Sequence, residues 1–226
     1  MKWICRLAIA LLTFAAVSAQ AAYKVEIKAS SPLEKLLKEH LDLVRYQNRE
    51  DISDEQLKFL LDTVSDQVVQ LASTEGYFSP KTSVTVTQNQ PEKPEEKHIR
   101  LDIEAGPQTR IGTVDITATG AVAEQDPSRI DAIKNKWSLP SSAPFRQEDW
   151  DNAKNSGLDK LQQRDYAAAR ISRSQASVDP DSQQAELSVQ YDSGPRFTLG
   201  PLQITGTRRY PDSIIHNVNP LYPGEE

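Results

Sequence analysis

What is scarce in this chain of 226 residues narrows its reading first. There is one cysteine, Cys5, and it lies ahead of an uncharged apolar stretch at the N-terminus. Aromatic residues make up only 7% of the chain and its formal charge is −6. An acidic chain with few aromatic rings offers neither a surface that neutralises phosphates nor platforms on which bases stack, which argues against nucleic-acid binding. A bilayer-spanning helix needs about 20 apolar residues, and the one long uncharged apolar run, Leu7 to Val17, has eleven. Histidine is also scarce: the three, His40, His98 and His216, lie far apart, and no glycine-rich phosphate loop, H-E-x-x-H pair or G-x-S-x-G turn occurs. The sequence therefore predicts no catalytic, cofactor-binding or metal-binding residues and no enzyme.

The N-terminal run fits an export signal. Lys2 and Arg6 supply the positive flank, Leu7 to Val17 the apolar segment, and Ala19-Gln20-Ala21 a small-x-small cleavage pattern. Cleavage after Ala21 or Ala22 is expected, with residues 1–22 as leader. Removing Lys2 and Arg6 from 26 basic residues leaves 24 against 32 acidic ones, a charge of −8. Cys5 departs with the leader, so the remaining segment must be stable without disulfides.

From Tyr23 the pattern reads strand, helix, helix, strand, strand. Val25 and Ile27 alternate with charged residues, as in a half-buried strand. Ser31-Pro32-Leu33-Glu34 has the composition of a capping box, and Leu33, Leu36, Leu37, Leu41 and Val44 follow at helical spacing. Ser53 and Gln56 open a second helix whose apolar stripe runs from Leu57 to Leu71 and which is expected to stop at Gly76. Two alternating segments around Val84 and Leu101 flank the Pro- and Glu-rich stretch Asn89 to Lys97, a solvated hairpin connection. Two antiparallel helices return the chain to the end of the sheet it left. The second strand must then run against the first, and the third along it. The expected class is α+β, with tandem β-α-α-β-β units in two layers, each a mixed three-stranded sheet with two helices on one face.

The unit repeats. Gly106-Pro107 and Gly194-Pro195 are 88 residues apart, and each is followed by a second glycine, Gly112 or Gly200, and by an alternating strand ending at Gly120 or Gly206. In the second copy, Asp126-Pro127 opens a helix carrying Ile130, Ile133 and Trp137, and a helix with Trp150, Ala153, Gly157, Leu158 and Leu161 follows. Strands are expected at 169–178 and 184–191. A third copy begins with a strand at Leu202 to Gly206 and a helix at Tyr210-Pro211-Asp212. The boundaries are thus 23–106, 107–194 and a truncated 195–226, and a longer parent chain is expected.

Tandem units of this order after a Sec-type leader resemble POTRA domains of the BamA/TamA outer-membrane assembly superfamily. The likeness rests on Gly76-Tyr77-Phe78, on the two Gly-Pro pairs, on Gly112 to Gly120 and Gly200 to Gly206, and on Leu139-Pro140 to Pro144-Phe145 before Trp150. One departure is Arg164-Asp165-Tyr166, where the pattern would place Gly before Tyr; aspartate is the residue expected to take the left-handed turn. The chain looks most like the TamA family, whose members carry three POTRA domains before a membrane barrel. The resemblance implies a periplasmic scaffold at the outer membrane, with a TamB-like inner-membrane-anchored partner, unfolded outer-membrane protein clients, and a C-terminal β-barrel absent from this chain. It also implies that second strands lie at sheet edges and take up partner strands. The residues concerned are Thr82, Ser83, Val84, Thr85, Val86 and Thr87 in the first unit, and Arg170, Ile171, Ser172, Arg173 and Ser174 in the second. A two-partner polypeptide secretion transporter, a BamA-like insertase and a free periplasmic hydrolase or binding protein stay open as alternatives.

Overall fold

The computed structural model describes residues 23–49, 51–88, 97–206, 208–209 and 211–224. The leader and the core of the connection at 89–96 lie outside these residues. The described chain forms two three-stranded sheets, each backed by helices over its own apolar cluster.

The first lobe runs β1 (Tyr23–Lys28), α1 (Ser31–His40), α2 (Asp42–Arg45), α3 (Asp54–Thr74), β2 (Lys81–Thr87) and β3 (Lys97–Glu104). Its strand order is β1-β3-β2, with β1 parallel and β2 antiparallel to β3, as the two-helix return requires. Ile99, Leu101 and Ile103 on the central strand face the helices and are buried, as are Tyr23 and Ile27. Tyr23 donates its hydroxyl to the Leu43 carbonyl at 2.9 Å, and burial pushes its pKa up to about 12.

The long first helix expected from its leucines is two helices. Leu41 has an extended backbone (φ −71°, ψ 126°) and both ends α1 and opens α2. On one continuous helix Leu41 and Leu43 would point about 200° apart. The break lets both enter the core, while Val44, assigned to the stripe, is only half-buried. The box at Ser31 does not form either: Ser30 is the N-cap, Ser31 is already helical and Glu34 pairs with Lys38. At α3 the box does form, with the Gln56 N–H donating to Ser53 Oγ at 3.2 Å and the Ser53 N–H to Gln56 Oε1 at 2.9 Å.

The second lobe runs β4 (Arg110–Thr119), α4 (Ala121–Gln125), α5 (Pro127–Asn135), α6 (Gln147–Gln162), β5 (Arg170–Asp179) and β6 (Gln184–Asp192). Its order β4-β6-β5 repeats the first, parallel then antiparallel. Trp150, Ala153, Gly157 and Leu161 form the buried face of α6. Gly157 is needed for packing, since a Cβ there would lie 2.2 Å from the Tyr191 hydroxyl.

After Gly194 the chain carries α7 (Asp212–Val218) but no strand at Leu202 to Gly206. The expectation fails for a physical reason. In both lobes the first strand finds its ladder partner in the third strand of its own sheet, and no described residue in 197–224 supplies such a neighbour.

Candidate functional site

Four strands lie on the outside of the two sheets, and the chain treats their free sides differently. On β1 the Val25 N–H donates to Gln47 Oε1 at 3.3 Å, so a side chain occupies that edge. On β4 the start is paired by the segment before α6: the Ile111 N–H donates to the Ala143 carbonyl and the Ser142 N–H to the Ile111 carbonyl, at 2.8 and 2.7 Å. On β5 the ladder is broken by a bulge between Ile171 and Arg173, and Ser172 bonds the Gln190 carbonyl at 3.0 Å. Arg170 pairs with Asp192 at 2.7 Å at one end of that strand.

β2 has none of these devices. Its seven residues pair with β3 in unbroken register from Lys81↔Glu104 to Thr87↔His98. From Thr82 to Thr87 it carries no charge. Thr82, Val84 and Val86 stand opposite Ile103, Leu101 and Ile99, so they share the face that the helices cover. The helices stop short of them: Val84 is 37% exposed and Val86 46%. The Gln67 flank of α3 is tied to α2 through Asp42, at 3.0 and 3.2 Å. On α3, which also touches β2, Val69 is likewise exposed. Val84 and Val86 thus leave an exposed apolar strip along an edge whose outward backbone groups have no partner among the described residues. The hydroxyl of Thr82, on the same face, is buried with no partner among the described residues.

In the second lobe the equivalent strand is bridged to its helix. Lys154 reaches from α6 to Ser174 Oγ at 3.2 Å and lies 5.0 Å above the Trp150 ring. Of the two stretches expected to take up partner strands, 82–87 is thus bare, whereas 170–174 is bulged, charged and crossed by a lysine. Composition signals part of this, since Arg170 and Arg173 are visible in the sequence. The Lys154 bridge joins residues 20 apart and has no local signature.

The two lobes meet at the end of α3, which closes in a Schellman turn: the Tyr77 N–H donates to the Ala72 carbonyl and the Gly76 N–H to the Ser73 carbonyl, both at 3.0 Å. The carbonyl of Gly76, which sits at φ +85°, accepts the Thr109 N–H at 2.9 Å. Thr109 then accepts the Phe145 N–H through its own carbonyl, and Phe145 packs on Phe78 with ring centres 5.9 Å apart. Arg146 forks onto the Glu75 carboxylate at 2.9 and 3.2 Å, and that bond raises the Arg146 pKa. The same joint is begun again one repeat on: the Phe197 N–H donates to the Asp165 carbonyl at 2.6 Å. Asp165 is buried between Arg129 and Arg196, at 3.4 and 3.6 Å. The left-handed residue of this second turn is not Asp165 but Arg164, at φ +67°. Arg164 follows the C-cap of α6 just as Gly76 follows that of α3, and Asp165 is an added residue before Tyr166.

Among the remaining glycines singled out, Gly106, Gly120, Gly194 and Gly206 have positive φ, whereas Gly112 and Gly200 do not. Beside Gly194, the Asp192 pKa is lowered, first by the Gly194 N–H and then by Arg170. No helix among the described residues is long and apolar enough to cross a membrane.

No family model matches the chain. Among solved structures it is similar to POTRA domains 3–5 of BamA from Haemophilus influenzae, at 18% identity over 92% of this chain and 79% of that one, with a TM-score of 0.41. It is also similar to POTRA domains 1–2 of the periplasmic part of Omp85 from Anabaena, at 14% identity over 77% of this chain and 94% of that one, TM-score 0.38. CdiB from Escherichia coli matches 80% of this chain with 29% of its own length, at 13% identity and a TM-score of 0.26.

Proposed function

We propose that this chain is the periplasmic scaffold of a TamA-like outer-membrane assembly or translocation factor. It would bind extended partner or client polypeptides by strand addition and pass them to a membrane barrel that lies outside this sequence. The observation that carries the reading is β2, unbroken in register, uncharged from Thr82 to Thr87, with no partner on its outer side among the described residues and with Val84 and Val86 exposed. An incoming strand would gain main-chain hydrogen bonds along β2 and bury alternate side chains against these valines and Val69. The threonines and serine on the other face impose little sequence choice, which suits a scaffold for many clients. A leader at 1–22, units at 23–106 and 107–194 and the beginning of a third at 195–226 belong to the same proposal, as does a TamB-like partner.

The test is photocrosslinking from Thr85, with a urea-unfolded outer-membrane barrel protein as probe. Adducts at Thr85 exceeding those at Ser174 at least tenfold are expected. Equal yields at the two positions, or none at either, would overturn β2 as the docking strand.

A further inference from the structure

The second lobe holds a feature that strand addition does not use. A surface cleft of about 440 Å³ lies between the C-terminal ends of α5 and α6, lined by Arg129, Lys136, Lys160 and Arg164 together with Gln163. No carboxylate lines it, in a chain whose formal charge is −6. We propose that this cleft binds a phosphate-class oxyanion, a phosphomonoester or phosphodiester group.

Helix ends explain only part of the charge. The C-terminal carbonyls of α5 and α6 attract cations, and Lys160 Nζ does lie 3.5 Å from the Lys136 carbonyl. Each helix end supplies roughly half an elementary negative charge. Arg129 is compensated separately: it bonds Asp126 at 3.2 Å, the Gln163 carbonyl at 2.9 Å and the buried Asp165 at 3.4 Å. Lys136, Lys160 and Arg164 have no acidic partner among the described residues, which leaves an excess of about two positive charges after both helix ends are counted. Like charges that line one cleft repel, and an anion seated among them would offset that repulsion.

The backbone points the same way. Arg164 occupies the left-handed position that glycine fills at the matching turn of the first lobe. A long cationic side chain is an unfavourable choice for φ +67°, and strain of this sort is tolerated where the side chain is needed. At the cleft the guanidinium can fork onto two oxygens of a phosphate while the lysines act as point charges from the other sides.

The test uses the 15N-labelled protein titrated with inorganic phosphate at constant ionic strength, set by chloride. Saturable amide shifts confined to residues 129–136 and 160–165 are expected. They should fall at least fivefold in affinity in Lys160→Gln and in Arg164→Gly; the glycine variant removes the guanidinium while easing the turn, so its Tm should equal or exceed the parent's. Weak, linear shifts spread over the whole surface, or saturable shifts that survive both substitutions, would overturn the site. Cosedimentation with phosphatidylglycerol vesicles, against phosphatidylcholine vesicles as control, separates the sources. Vesicle binding lost in the same variants marks a lipid headgroup, and phosphate binding without vesicle binding marks a soluble ligand.

Discussion

Gly76 shows how much one hydrogen atom in place of a side chain can decide. A Cβ at this position would lie 2.3 Å from the Phe145 carbonyl oxygen, across the joint between the lobes, and the backbone sits at φ +85°. Gly76→Ala should therefore cost about 2–4 kcal/mol of stability, from left-handed strain and displacement of Phe145, read as a fall in the denaturation midpoint. Arg164 is the converse case. Arg164→Gly relieves the strain of the same turn position and should raise stability by roughly 1 kcal/mol. Asp126 sets a pH-dependent increment. The Ser128 hydroxyl foremost, then Arg129, holds its carboxyl below the usual range, so its contribution is present above about pH 4 and disappears as pH falls through the lowered value. The Tm difference between the protein and Asp126→Asn should accordingly be seen at pH 7 and shrink as the pH falls below the ordinary carboxylate range.

Among elements, the contrast between β2 and β5 is the informative one. Both were legible in the sequence as alternating segments, and both were expected at sheet edges. Which of the two is left without such devices was not legible, because it depends on Lys154 crossing from α6 and on a bulge that frees Ser172 to bond the Gln190 carbonyl. Backbone N–H groups along β2 alternate between β3 and the free side. Of Val84→Pro and Thr85→Pro, one therefore breaks the ladder and the other removes only an outward donor. The variant that keeps its circular-dichroism spectrum should lose client crosslinking at least tenfold; unchanged crosslinking in a folded variant would rule the edge out. The helices give the opposite lesson. Their apolar stripes were readable, yet the break at Leu41 was not, because it answers to the burial of both Leu41 and Leu43 in one core.

At the scale of the whole molecule, the linker Gly106 to Thr109 is a hydrogen-bonded part of both lobes. Gln108 Nε2 donates to the Glu75 carbonyl at 2.9 Å, and Thr109 bonds both Gly76 and Phe145. A linker of four residues already limits articulation; these bonds make the first joint stiffer than length alone requires. Spin labels at Lys58 and Asn155, one in each lobe, should give a single narrow distance distribution in pulsed electron resonance. Arg146→Glu should broaden it modestly, since an exposed pair contributes less than about 1 kcal/mol, and Gly76→Ala should broaden it strongly. A wide distribution in the unmodified protein would contradict a stiff joint.

Local chemistry, then, was enough to determine the repeat, the α+β class and the mixed direction of each sheet. Alternation, capping residues and the return imposed by paired helices act over a few residues or through simple chain geometry. The same chemistry predicted a strand at Leu202 to Gly206 that does not form, since a strand exists only where a neighbour accepts its hydrogen bonds. The tertiary structure alone decided which edge stays bare, where four cations from separate helices and turns converge, and how Gly76 fits under Phe145. Each of these depends on side chains distant in sequence meeting in space, and no spacing along the chain encodes such a meeting.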